Sequence, residues 1–102
     1  MKQIKTIVKD IKEELEGATH YAKLATQYKD TDKALADTYY SMANQELGHI
    51  DALHTQAVRM IKAYQATGKE VPVAMQAVWD WEHENQIDDV ARVRALLDAY
   101  KK

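Results

Sequence analysis

Only three glycines and one proline interrupt the 102 residues of this chain. Those are the residues that cost a helix most, about 1 kcal/mol for glycine and about 3 for proline. With so few of them, the chain has room for two or three long elements, and these are predicted to be helices. The breakers also cluster usefully: Gly68 and Pro72 flank one short stretch, while Gly17 and Gly48 fall inside apolar patterns.

Apolar spacing locates the elements. Ile4, Ile7, Val8, Ile11, Leu15, Ala18, Ala22 and Ala25 recur at three and four residues, the signature of an amphipathic helix over about 3–29. The polar run Lys29-Asp30-Thr31-Asp32 supplies a turn and the next N-cap. A second stripe of Leu35, Tyr39, Met42, Ile50, Leu53, Ala57, Met60, Ile61 and Tyr64 predicts a helix over about 33–67, antiparallel to the first because the link is tight. Gly48 inside it either permits close approach of a neighbour or is tolerated. A third segment over about 72–100 opens on Pro72, whose missing N–H is harmless in a first turn. It carries Met75, Val78, Trp79, Val90, Val93, Leu96, Leu97 and Tyr100 around a polar middle, Glu82 to Asp89. It is either one helix or two that meet near 85–88. The expected fold is all-α, one domain over 1–102, an antiparallel hairpin followed by a C-terminal helical segment.

A chain this short has little core to spare, so a second copy or a metal would help to stabilise it. The absence of cysteine excludes disulfides, thiolate-bound zinc, iron–sulfur clusters and a cysteine nucleophile. A site of carboxylates and imidazoles stays open. Sixteen acidic and fourteen basic residues give a net charge of −2, which offers no general attraction to nucleic acid or anionic lipid. The first twelve residues are too charged for a signal peptide and no stretch is apolar enough to span a membrane. The expected location is the cytoplasm, or a protein compartment enclosed within it.

Ionisable residues interrupt the apolar stripes at one level. Stepping from Ile4, Ile7 and Ile11 places Glu14 on the inward face of the first helix, ahead of Ala18 and Tyr21. Stepping from Leu35, Tyr39 and Met42 places Glu46 and then His49 on the inward face of the second. Unpaired carboxylates in apolar surroundings protonate or find a cation. No lysine or arginine shares the stripe at that level, so a metal ion is the simplest partner. Glu46-Leu47-Gly48-His49 has the Glu-x-x-His spacing that aims a carboxylate and an imidazole at one point. Counted from the hairpin turn, Glu14 and the Glu46–His49 pair lie at matching heights, about 1.5 Å of rise per residue.

The runs Glu14-Leu15-Glu16-Gly17-Ala18-Thr19-His20-Tyr21 and Tyr39-Tyr40-Ser41-Met42-Ala43-Asn44-Gln45-Glu46-Leu47-Gly48-His49 resemble the first half of a ferritin-like or rubrerythrin-like di-iron domain, over about residues 7 to 62. The resemblance implies that Glu14, Glu46 and His49 are iron ligands and that Tyr21 is a catalytic residue beside them. Complete chains of that superfamily repeat the pattern in two further helices, and this chain does not: Glu82, His83 and Glu84 lack the spacing. In its half length it is similar to encapsulated ferritins, whose two-helix subunits pair. Two copies would supply four carboxylates and two imidazoles, a full di-iron set within a four-helix bundle completed by dimerisation or by a larger homo-oligomer. The implied activity is ferroxidase chemistry with dioxygen or peroxide. Manganese or zinc remains open in place of iron.

Other residues keep two readings. Glu13 and Glu16 resemble acids at an iron entrance or decorate a solvent face. Glu82 adds a ligand or is a surface acid. Trp79, Trp81 and Tyr100 pack the core, cap the bundle or meet a second copy. His20 and His54 have no partner at ligand spacing, and His54 is expected in solvent. Tyr100-Lys101-Lys102 is too short for a targeting tail. A non-catalytic helical module on the same scaffold, or a chain that pairs with a different protein, are the competing readings.

Overall fold

A computed structural model describes residues 2–102. They form three helices, α1 (Lys2–Tyr28), α2 (Lys33–Ala66) and α3 (Val73–Lys101), and no strand occurs among the described residues. The bundle is a rod of about 57 × 18 × 17 Å, its length set by α2, whose 34 residues span about 50 Å at about 1.5 Å each.

The turn between α1 and α2 is four residues long and closed by its own backbone. Asp32 N–H donates to the Tyr28 carbonyl at 2.8 Å, and the Asp32 carboxylate accepts from Leu35 N–H at 3.1 Å, satisfying a donor at the start of α2 that has no partner within the helix. So short a link forces α2 back along α1. The second link is opened by Gly68, whose φ of 81° is left-handed and suits glycine past a helix end. Its N–H donates to the Gln65 carbonyl at 3.0 Å. Pro72 then caps α3, which runs parallel to α1, bringing Tyr100 back to Ala25 and Ala36.

α3 is one unbroken helix, so the break near 85–88 does not occur. Residues 73–101 contain neither glycine nor proline, and a polar stretch only requires that those residues lie on the wet side. Trp79, Val93, Leu97 and Tyr100 are its buried residues.

The core is built mainly on α1. Ile4, Ile7, Ile11, Leu15, Ala18 and Ala22 pack with Leu47, Ile50 and Ala57 of α2 and with Trp79, Val93 and Leu97 of α3. On α2 the buried face agrees with the predicted stripe at Ile50 and Ala57 and departs from it elsewhere. Ala36, Ala43, Leu47, Ile50 and Ala57 are buried, whereas Leu35, Tyr39, Met42, Leu53 and Met60 are half-buried. The buried face is turned by about 60° from the predicted one at 100° per residue, towards Ala36, Ala43 and Leu47, leaving the longer side chains at the edge. Trp81 is 63% exposed, so of the three candidate aromatics only Trp79 and Tyr100 are core. No described helix is long and apolar enough to cross a membrane.

Candidate metal centre

Glu14, Glu46 and His49 come together on the α1–α2 seam. One ligand atom from each lies within 4.8 Å of the others. α1 supplies Glu14 one turn before Ala18, and α2 supplies Glu46 and His49 one turn apart, flanking Leu47. The site is shallower than an inward placement implies. Glu14 and Glu46 are half-buried, His49 is exposed, and no polar or charged side chain is fully buried among the described residues. The rotation of α2 accounts for this: Glu46 and His49 travel with Met42 and Leu53 to the rim of the seam.

The three groups satisfy one another. His49 Nδ1 lies 3.2 Å from Glu14 Oε2, with side-chain exposures of 59% for His49 and 30% for Glu14. The hydrogen bond from Glu46 holds the Glu14 carboxyl below the usual carboxylate range, and His49 adds to the effect against partial burial. The same hydrogen bond, with burial, pushes Glu46 up. Two carboxylates this close disfavour each other's ionisation, and the cost falls on Glu46.

Donor chemistry and spacing fit a divalent cation. With metal–ligand bonds of about 2.0–2.2 Å, donors on one ion stand about 3–4.4 Å apart, so small side-chain rotations close the set. Two carboxylates and an imidazole suit Fe(II), Mn(II) or Zn(II). One chain contributes three protein ligands, a set for one ion rather than two.

Gly17 is a site residue that the periodicity did not single out. A Cβ built at position 17 would stand 3.3 Å from Glu46 Oε2, so the absent side chain is what lets the Glu46 carboxylate lie against α1. The available signal was a glycine in the middle of a strongly helical stripe, three residues after Glu14. At Gly48 a Cβ meets nothing within 4 Å, so that glycine is tolerated and no neighbour approaches it.

The remaining candidates lie elsewhere. Tyr21 is two turns beyond Glu14, stacked on Tyr39 with ring centroids 6.0 Å apart. Tyr39 stands seven residues before Glu46, so the two tyrosines form a layer about 10 Å along the bundle from the ligands, without a hydrogen bond to them. Glu82 is not in the cluster; it faces Lys12 at 3.7 Å. Glu13, Glu16 and His20 are exposed. His54 is not in solvent: it is half-buried, its Nε2 3.0 Å from that of His83. Its position, about 140° round α2 from His49 at 100° per residue, turns it towards α3. No protein-family model, curated protein or solved structure matches the chain. What it does is read from its own residues.

Proposed function

We propose that this is a ferritin-like metal protein that binds iron through Glu14, Glu46 and His49, pairs with a second copy to complete a di-iron set in a four-helix bundle, and oxidises Fe(II). The convergence of those three side chains from two helices carries the reading. The surrounding surface supports the pairing. Leu24, Leu35 and Met42 are half-buried and stand outside both core clusters. Leu35, Met42, Leu53 and Met60 fall within about 20° of one another around α2, in the same band as Glu46 and His49, at 100° per residue. An apolar stripe around a polar cluster is what a twofold partner would cover.

In this reading Fe(II) is the substrate: two ions each give one electron to dioxygen, which leaves with two protons as hydrogen peroxide. Glu14 and Glu46 would bind the cations as carboxylates, and a cation would take the place of any proton held between them. His49 is the terminal nitrogen donor. Tyr21, expected as a catalytic residue, is stacked on Tyr39 and would act on the cluster only from a distance of about two turns.

The test loads metal-free protein with Fe(II) under argon, admits air, and follows ferric absorbance for the native chain and for Glu46→Ala and His49→Ala. The native rate should exceed both variants by at least tenfold. Equal rates overturn the oxidase reading, and a strictly monomeric mass with and without Fe(II) overturns the pairing. A second reading, a metal-free helical module, is favoured by the way Glu14, Glu46 and His49 already satisfy one another. It predicts no bound transition metal and no change of the melt with Fe(II), Mn(II) or Zn(II).

A further inference from the structure

On the α3 side of the bundle, away from Glu14, Glu46 and His49, two imidazoles from different helices meet end to end. His54 of α2 and His83 of α3 place their Nε2 atoms 3.0 Å apart, with ring centroids at 4.7 Å and planes inclined by 28°. Trp79, which is 6% exposed, stacks on both rings, 5.7 Å from His54 and 5.4 Å from His83. The indole therefore fixes the orientation of the pair. Asp51, one turn before His54, lines the same cleft, together with Gln86 and Arg94.

We infer that His54 and His83 form a second metal site, a two-imidazole clamp for a nitrogen-preferring divalent ion such as zinc, which ties α3 to α2. Two nitrogens bound to one ion at about 2.0–2.1 Å and at 90–109° stand about 2.8–3.4 Å apart, and the observed separation lies inside that window. Two half-buried imidazoles from separate helices have little reason to meet nitrogen to nitrogen through packing alone. Without a metal, one must donate to the other in a single tautomeric arrangement. Burial, and then the neighbouring His83, hold His54 towards its neutral form against the opposing charge of Asp51, and the neutral form is the one that binds a metal. Asp51 lines the same cleft and would add negative charge near the ion, and solvent would complete the coordination. Zinc and copper rank above iron and manganese for such a donor set, so the two sites of the chain differ in the ion they prefer. The clamp acts where the bundle is least tied, since the backbone of α3 packs on α1 far more than on α2.

The experiment titrates the full chain with Zn(II) at neutral pH and follows the imidazole nitrogens by long-range 1H–15N NMR, alongside calorimetry of the native protein, His83→Asn and His49→Ala. One equivalent should move the Nε2 resonances of His54 and His83 together. His83→Asn should weaken that binding at least tenfold, and His49→Ala should leave it unchanged whatever occupies the other cluster. Resonances of His54 and His83 that stay put while His49 shifts would overturn the clamp, as would a His83→Asn chain that binds like the native one. If His83→Asn does not fold, the spectrum of the native protein decides alone.

Discussion

Replacing Gly17 by alanine should make the protein more stable and a poorer metal binder at once. α1 is helical through position 17, and the backbone freedom removed by a Cβ in a helix interior gives about 1 kcal/mol. For a domain of this size that is a rise of about 4–8 °C in the melting temperature. Against this, the new Cβ stands 3.3 Å from Glu46 Oε2, the far end of a side chain that can rotate. The fold loses little and the carboxylate moves by a few tenths of an ångström. Ligand positions in a metal site hold to about 0.2 Å, and disturbing the groups that orient a ligand lowers affinity about 10–100-fold. Gly48→Ala is the matched control, because its Cβ meets nothing; it should gain similar stability and keep its affinity. Melting of metal-free protein by circular dichroism and anaerobic calorimetry with Fe(II) read the two effects separately. A Gly17→Ala chain that binds Fe(II) as tightly as Gly48→Ala, or that melts lower than the native chain, refutes this account of Gly17.

The other expectations test the scaffold and the pairing face. Tyr100 donates to the Asp37 carboxylate and accepts from Lys33 Nζ at 3.1 Å, and Tyr100 and then Lys33 hold Asp37 below its usual range. A lowered folded value stabilises above the unfolded value of about 3.9 and stops doing so as pH falls through the folded one. Tyr100→Phe should therefore melt below the native chain at pH 7, with a gap that closes in acid; a gap constant from pH 7 to 2 counts against the Asp37 linkage. Leu97, 4% exposed, holds α3 on α1, and Leu97→Ala should cost about 2–5 kcal/mol by urea unfolding; a loss below about 1 kcal/mol means that α3 is not integral to the bundle. Met42→Glu puts a charge on the half-buried stripe and should yield monomers of native helicity by sedimentation; an unchanged mass removes that stripe from the interface.

The first two helices, the capped turn at Asp32 and the meeting of Glu14 with Glu46 and His49 were legible because each depends on local spacing. Glycine, proline and capping residues act within a turn, and two antiparallel helices joined by a fixed turn leave one free variable, the height, which counting residues supplies. Rotation about the helix axis is not local. Leu35 and Ala36 both continue an acceptable stripe, and the choice between them follows from packing against α1. The same loss of information hid His54. Its partner is 29 residues away across a link whose geometry the spacing does not define, so a histidine without a neighbour at ligand spacing read as a solvent residue. The polar middle of α3 left one helix and two equally open: a dip in hydrophobicity marks a wet face as readily as a break, and glycine or proline would have marked the break.

α2 carries two apolar stripes about one residue apart, and a hairpin needs only one. The small stripe, Ala36, Ala43, Leu47, Ile50 and Ala57, is used up against α1 and the core. The large one, Leu35, Met42, Leu53 and Met60, is left half in water with Glu46 and His49 in its midst. Leu53 and Met60 still touch the core, whereas Leu35 and Met42 stand outside it, and α3 meets α2 through His54 and Tyr40, more than about 90° round the helix from those two. Glu14 lies against Glu46 and His49 at the same seam. A second hairpin laid there would cover the longer side chains and bring a second set of two carboxylates and an imidazole to the first. The rotation of α2 that leaves the site shallow in one chain is thus one that the proposed pairing could use.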